Sequence, residues 1–197
     1  MFHDRRIVND NGWQLQPAGP KMGRPLAPLV NLQRPCILDI EASGFGRNSY
    51  PIEVGYALPD GRARCTLIRP PAHWTHWDPS AEQVHHISRD VLLQHGRPAA
   101  EVARMLNEDL AGNTVYCDGW AHDYPWLAAL FDEAGVTPRF RHESVRAMLD
   151  EADLAQLPGL QQQARRELGV ERHRASADAR ALQLAIERVS GPRAALR

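Results

Sequence analysis

The stretch Cys36-Ile37-Leu38-Asp39-Ile40-Glu41, ended by Ala42-Ser43-Gly44, constrains this chain more than any other. A short apolar run closed by small turn residues predicts a strand running into a turn. Residues two apart on a strand point to the same face, so Asp39 and Glu41 stand side by side, with Leu38 and Ile40 on the opposite face. Two carboxylates so placed repel each other. That cost has little structural return, whereas hard oxygen ligands clustered at a sheet edge are what Mg²⁺ or Mn²⁺ requires. An Asp-x-Glu pattern arises often by chance; its setting on a buried strand is what favours function here.

The 197 residues, 43% of them apolar, suit one compact domain with an appendage, and enough core to bury it. With 23 basic and 24 acidic residues the formal net charge is −1, which argues against a broad surface for coating a duplex. An enzyme that grips only a few terminal nucleotides needs no more than a local basic rim. Cys36, Cys65 and Cys117 are far apart and form no Cys-x-x-Cys pair, so neither a disulfide framework nor a zinc knuckle is indicated. No run of about eighteen apolar residues is present, and Met1 to Asp10 is polar, so no membrane segment or signal peptide is expected and a reducing cytoplasmic setting is.

Residues 1–34 carry Pro17, Pro20, Pro25 and Pro28, which exclude a long helix or central strand. They read as a poorly ordered, somewhat basic arm, with docking to a nucleic acid or a partner protein as the alternative. Residues 35–197 form the domain. Ile52 to Leu58 and Arg64 to Ile68 predict two further strands joined as a hairpin by Pro59-Asp60-Gly61. Helical spacing follows between Pro79 and Leu110, then a fourth strand over Thr114 to Cys117 and a helix over Tyr124 to Ala134. Leu160, Ala164 and Leu168 mark another helix, and a last one runs from about Ser176 to Ser190, with Gly191 and Pro192 as its stop. An antiparallel meander followed by interleaved helices predicts a mixed α/β sheet covered by helices.

Three more positions are suggestive only together. Asp123 follows the fourth strand directly before Tyr124-Pro125-Trp126, and by itself reads as a helix N-cap. His173 and Asp178 are five apart, the acid in a first helical turn where the macrodipole favours it, the histidine in a loop. Asp118, before Gly119, is a further acid near the end of the fourth strand. The segment Ala72-His73-Trp74-Thr75-His76-Trp77 has a His-x-x-His spacing, but aromatic packing in a loop is the favoured reading over a transition-metal site.

Taken in order, Asp39-Ile40-Glu41 with Ser43-Gly44, Val84-His85-His86-Ile87-Ser88, Asp123, and His173 with Asp178 resemble the DEDDh 3′–5′ exonucleases, the DnaQ-like superfamily, over roughly Pro35 to Val189. The resemblance implies a ribonuclease-H-like fold and hydrolysis of single nucleotides from the 3′ end of single-stranded RNA or DNA, releasing 5′-mononucleotides. It implies Asp39, Glu41, Asp123 and Asp178 as ligands of two divalent cations, Mg²⁺ or Mn²⁺, and His173 as general base; an imidazole with its ordinary pKa near about 6.5 suits that task at neutral pH. By the same resemblance Ser43, Gly44 and Phe45 meet the terminal nucleotide, and His86 and Ile87 pack on its base or sugar, where stacking is worth about 1–3 kcal/mol per base. Trp126, one turn from Asp123, is a candidate wall of the site, with core packing as the plainer reading. Relatives that act on short RNA are often dimers, which extends a homodimer to this chain by resemblance alone. The reading from another class is a catalytically silent module that binds nucleic acid or protein with this fold, and metal-dependent release of mononucleotides separates the two.

Overall fold

In the computed structural model, residues 34–170 and 173–194 are described, so all but the last residue of the N-terminal arm lies outside the described residues. Strand β1 (Cys36–Ala42) is the middle strand of five. It pairs antiparallel with β2 (Pro51–Ala57), which pairs antiparallel with β3 (Ala63–Leu67). On its other side β1 runs parallel to β4 (Thr114–Cys117), and β4 parallel to β5 (Arg141–Ser144), giving the order β3-β2-β1-β4-β5. This is a ribonuclease-H-like mixed sheet, meander first and parallel strands after, flanked by helices. The hairpin turn closes where Gly61, at φ +85°, donates its N–H to Leu58 O, a backbone geometry that glycine adopts freely.

The alternation along β1 divides the core. Cys36, Leu38 and Ile40 join Val54 and Tyr56 of β2 under helices α3 (Ala99–Leu110) and α4 (Trp120–Ala134). Val102, Leu106 and Leu110 recur at four-residue spacing and are fully buried, which is why α3 lies flat on this face. Ile37 points the other way, to Leu157 of α5 (Glu151–Leu168) and Ala179, Leu182 and Ile186 of α6 (Ala175–Ala194). Asp39 and Glu41 share that second face, so the first turn of α6 comes down over them.

Two contacts set how α6 arrives. Gly55 of β2 lies opposite Asp39, and a Cβ there would sit 2.1 Å from Ser176 N and 2.2 Å from Ala175 C. Only a glycine admits the helix this closely. Further along α6, the fully buried Gln183 donates from Nε2 to the carbonyls of Pro35 and Leu58, both at 2.8 Å, satisfying backbone acceptors at the entry of β1 and the exit of β2.

Several boundaries differ from the sequence expectation. Helix α4 starts at Trp120, four residues ahead of Tyr124, so Asp123 lies in its first turn and Gly119 is the N-cap, with Pro125 inside the helix. As the sixth residue of the helix, Pro125 has no N–H to give to the Ala121 carbonyl, one i→i−4 bond that α4 goes without. Gly191 and Pro192 do not stop α6, which continues to Ala194. The helical stretch before β4 is three helices, α1 (Pro79–His85), α2 (Arg89–His95) and α3. The polar strand β5 was not anticipated. Among the described residues no helix is long and apolar enough to cross a membrane.

Candidate active site

The strands β1 and β4 and the loops and helices that follow them surround a cleft of about 380 Å³ lined by Asp39, Glu41, Asp118, Asp123, His173 and Asp178. Residues spread from position 39 to 178 thus converge on one opening. Oxygens of Glu41 and Asp178 and a ring nitrogen of His173 all lie within 4.8 Å of one another, a spacing at which they can hold a metal ion.

The acids crowd each other in a partly dry site. Burial, then the charges of Asp123, Glu41, Asp178 and Asp118, holds the Asp39 carboxyl well above the usual carboxylate range. Glu41 is pushed up to about 8 by burial first, then by Asp178, Glu53 and Asp123, with Arg174 pulling the other way. Burial raises Asp123 to about 7, against a lowering hydrogen bond from the Cys117 thiol and with Asp118 adding to the rise. Asp123 Oδ2 is buried with no hydrogen-bond partner among the described residues. No hydrogen bond or ion pair from those residues reaches the carboxylates of Asp39 or Glu41 either. Carboxyls crowded so closely that they hold their protons, one of them with a buried oxygen that no donor reaches among the described residues, fit a divalent cation, which would stabilise their charged forms.

The supports of these groups are equally local. Behind Asp123 lies Cys117, fully buried and 3.1 Å from His142 Nε2. Burial raises the Cys117 thiol and lowers His142 to about 4, so both stay uncharged beneath the acid. His173 adopts a left-handed backbone, φ +64°, and its N–H donates to Asp178 Oδ2 at 2.7 Å. A histidine there is strained. The loop is tied down by Glu53, which pairs with Glu41 across the hairpin, is 1% exposed, and accepts from Arg174 Nη2 at 2.7 Å and from Ala175 N–H at 2.9 Å. Neither Glu53 nor Arg174 was singled out from the sequence, since their bond joins residues 121 apart.

The nucleotide-contacting candidates separate into two groups. Phe45 is 68% exposed on the cleft wall, its ring centroid 5.2 Å from His122 and 6.0 Å from Trp126, so it is a surface ring and not core. Trp126 is both things foreseen for it: it packs in the core and its edge lines the cleft, with Nε1 donating to Ser49 Oγ at 2.8 Å. Gly44 lines the cleft at φ +139°, where a Cβ would meet Asp78 Cβ at 2.6 Å. Ser43, by contrast, is buried and occupied: its N–H donates to Tyr50 O, and its hydroxyl accepts from Tyr50 N–H and meets His76 Nδ1 at 3.1 Å. It shapes the turn and does not face the cleft.

His86 and Ile87 do not line the cleft. His86 is exposed at the C-cap of α1, φ +58°, and Ile87 is buried among Tyr50, Ile52 and Leu92. The neighbouring His85 faces inward with Ser80, Ala81 and Val84, the one-turn periodicity of α1 that would have identified it. Its Nδ1 accepts from Ile87 N–H and its buried Nε2 has no partner among the described residues. The His-Trp segment is a strap: Trp74 stacks on Tyr50, His73 meets Glu133, and His76 braces Ser43, so the two histidines share no ligand.

No family model matches the sequence, and no curated protein matches it. Solved structures do match in fold. The chain is 16% identical to exonuclease I from Methylocaldum szegediense, with a TM-score of 0.59 over 80% of this chain and 40% of that one. It is 15% identical to Escherichia coli exonuclease I in complex with a dT13 oligonucleotide, TM-score 0.62, covering 82% and 42%. The E. coli enzyme in complex with a dA16 oligonucleotide gives 14% identity, TM-score 0.60, covering 80% and 40%. At these identities the likeness is one of fold, and the chain spans less than half the length of these structures.

Proposed function

We propose that this chain is a metal-dependent 3′–5′ exonuclease that removes 5′-mononucleotides from single-stranded nucleic acid. The observation that carries the proposal is the convergence of Asp39, Glu41, Asp123, Asp178 and His173 on one cleft, with the carboxyls of Asp39, Glu41 and Asp123 all pushed upward by burial and by one another. The fold likeness to exonuclease I, solved with dT13 and dA16, supports the choice of a single strand as substrate.

Asp39, Glu41, Asp123 and Asp178 would hold two divalent cations, Mg²⁺ or Mn²⁺. The chemistry that such a pair supplies is polarisation of the scissile phosphate and relief of charge on the attacking and leaving oxygens. His173 takes the proton of the attacking water at its imidazole nitrogen; the hydrogen bond from its own N–H to Asp178 keeps the ring beside the acids. Phe45, with His122 and Trp126 behind it, offers the face on which the terminal base stacks. Gly44 lets the strand's end approach the backbone of the turn, and His85 offers its unpartnered Nε2 to the sugar or phosphate.

The test is release of labelled mononucleotide from a 3′-labelled single-stranded oligomer in Mg²⁺ or Mn²⁺. Asp39→Asn and His173→Ala should each abolish it while leaving the circular dichroism spectrum intact. Wild-type protein that binds Mn²⁺ yet leaves every RNA and DNA strand whole would instead favour a silent binding module.

A further inference from the structure

Helix α5 sends two side chains, one turn apart, to the acids of the cleft. Gln161 Nε2 donates to Asp118 Oδ2 at 2.8 Å. Arg165 donates from Nε at 2.7 Å and from Nη2 at 2.6 Å to a single oxygen, Asp178 Oδ1. The two side chains of that ion pair are 18% and 12% exposed, so the contact is largely withdrawn from water. Among the described residues Arg165 is the one cation in an ion pair with any of the four carboxylates; Arg174 bonds Glu53 instead.

Asp178 therefore differs from its neighbours. One oxygen is taken by the guanidinium and the other by the His173 N–H, whereas Asp123 Oδ2 is bare and Asp39 and Glu41 have no such partner. A guanidinium is charged at every working pH, so it cannot step aside by losing a proton. Two cations directed at one carboxylate oxygen repel each other, and more strongly where water is scarce. We propose that Arg165 competes with the divalent cation for the Asp178 carboxylate, so that ion binding there must displace the guanidinium and is weaker than the acids alone would make it. The proposal rests on Asp178 being a metal ligand, as in the function proposed above.

The test uses the full chain, titrated with Mn²⁺ at pH 8 by calorimetry, with melting temperatures measured in EDTA and in saturating Mn²⁺. Arg165→Gln should bind the more weakly held Mn²⁺ about tenfold more tightly than wild type, and Arg165→Lys, which keeps the charge but loses the two-pronged contact, about two- to threefold more tightly. In EDTA, Arg165→Gln should melt below wild type, and Mn²⁺ should raise its melting temperature by more than it raises that of wild type. Equal or weaker Mn²⁺ binding in either folded variant overturns the proposal. So does an Arg165→Gln deficit in melting temperature that is the same with and without Mn²⁺, the signature of a simple brace between α5 and α6. Absence of Mn²⁺ binding in wild type and variants alike would instead sink the proposed function, and this inference with it.

Discussion

Asp123 places a carboxylate oxygen in the interior with no hydrogen-bond partner among the described residues, beside a thiol that donates to the same group. Folding without a cation must bear that arrangement, so the acids that make the site also weaken it. Asp123→Asn should raise the melting temperature in EDTA at pH 8 and remove most of the gain that Mn²⁺ gives wild type. The pH dependence follows from the same groups. Glu41 and Asp123 keep their protons up to about 8 and about 7 in the folded state, and Asp39 is likewise raised. In the unfolded chain such carboxyls ionise near about pH 4. Between those limits the folded state binds more protons, and the acids make stability fall as pH rises. His85 and His142, lowered by burial, work in the opposite sense until the unfolded histidines, half-protonated at about pH 6.5, have lost their protons about one unit higher. The clean window is therefore about pH 7.5 to 8. There the melting temperature in EDTA should drop with rising pH while Mn²⁺ affinity climbs. A rise in both media across that window would contradict the cluster.

At the scale of elements, the site depends on how closely α6 can lie on β2. Gly55→Ala puts a methyl within 2.1 Å of Ser176 N, and backbone cannot yield as a side-chain tip can. The change should cost about 1–3 kcal/mol by overpacking, and should lower Mn²⁺ affinity as well, since Asp178 and His173 move with that helix end; chemical denaturation and Mn²⁺ titration read the two effects. Phe45→Ala is the complementary case. The ring is exposed, so stability should hold while KM for an oligonucleotide rises about 5- to 150-fold, the equivalent of one lost base stack. These elements also explain what was legible beforehand. The period of two on β1 gave both of its acids and their shared face, while Gly44 and Phe45, which line the cleft, were named through the family resemblance of the turn after it. The period of helix α1 was the missed signal, so His86 was named where His85 faces the cleft. Strand β5, Arg141-His142-Glu143-Ser144, has no apolar alternation to read, because it is a short polar edge held by parallel pairing to β4. Glu53, Gln183 and Arg165 stayed hidden for a different reason: each finds its role in a partner far along the chain or on another helix, and no local pattern encodes that.

At the scale of the whole molecule, charge limits how a nuclease of the proposed kind could hold a strand. A formal net charge of −1 supplies no long-range pull on a polyanion, and the cleft of about 380 Å³ has room for a terminal nucleotide and little more. In the proposed exonuclease, grip would then come mainly from base stacking and from cations bound at the acids, with few phosphates neutralised by side chains. Each phosphate contact on a single strand contributes about −0.7 to the slope of log affinity against log salt, so two or fewer such contacts set the slope near −1, far shallower than for a strand-tracking groove. So weak a hold on the upstream strand would also mean release after each cut by the proposed exonuclease. The expected behaviour here is distributive. With oligomer in large excess, a sequencing gel should show the full-length band shortening to a ladder one nucleotide at a time across the whole population. Fully degraded strands beside untouched ones, or a salt slope of about −3 or steeper, would show that a second, more basic surface of this chain carries the strand.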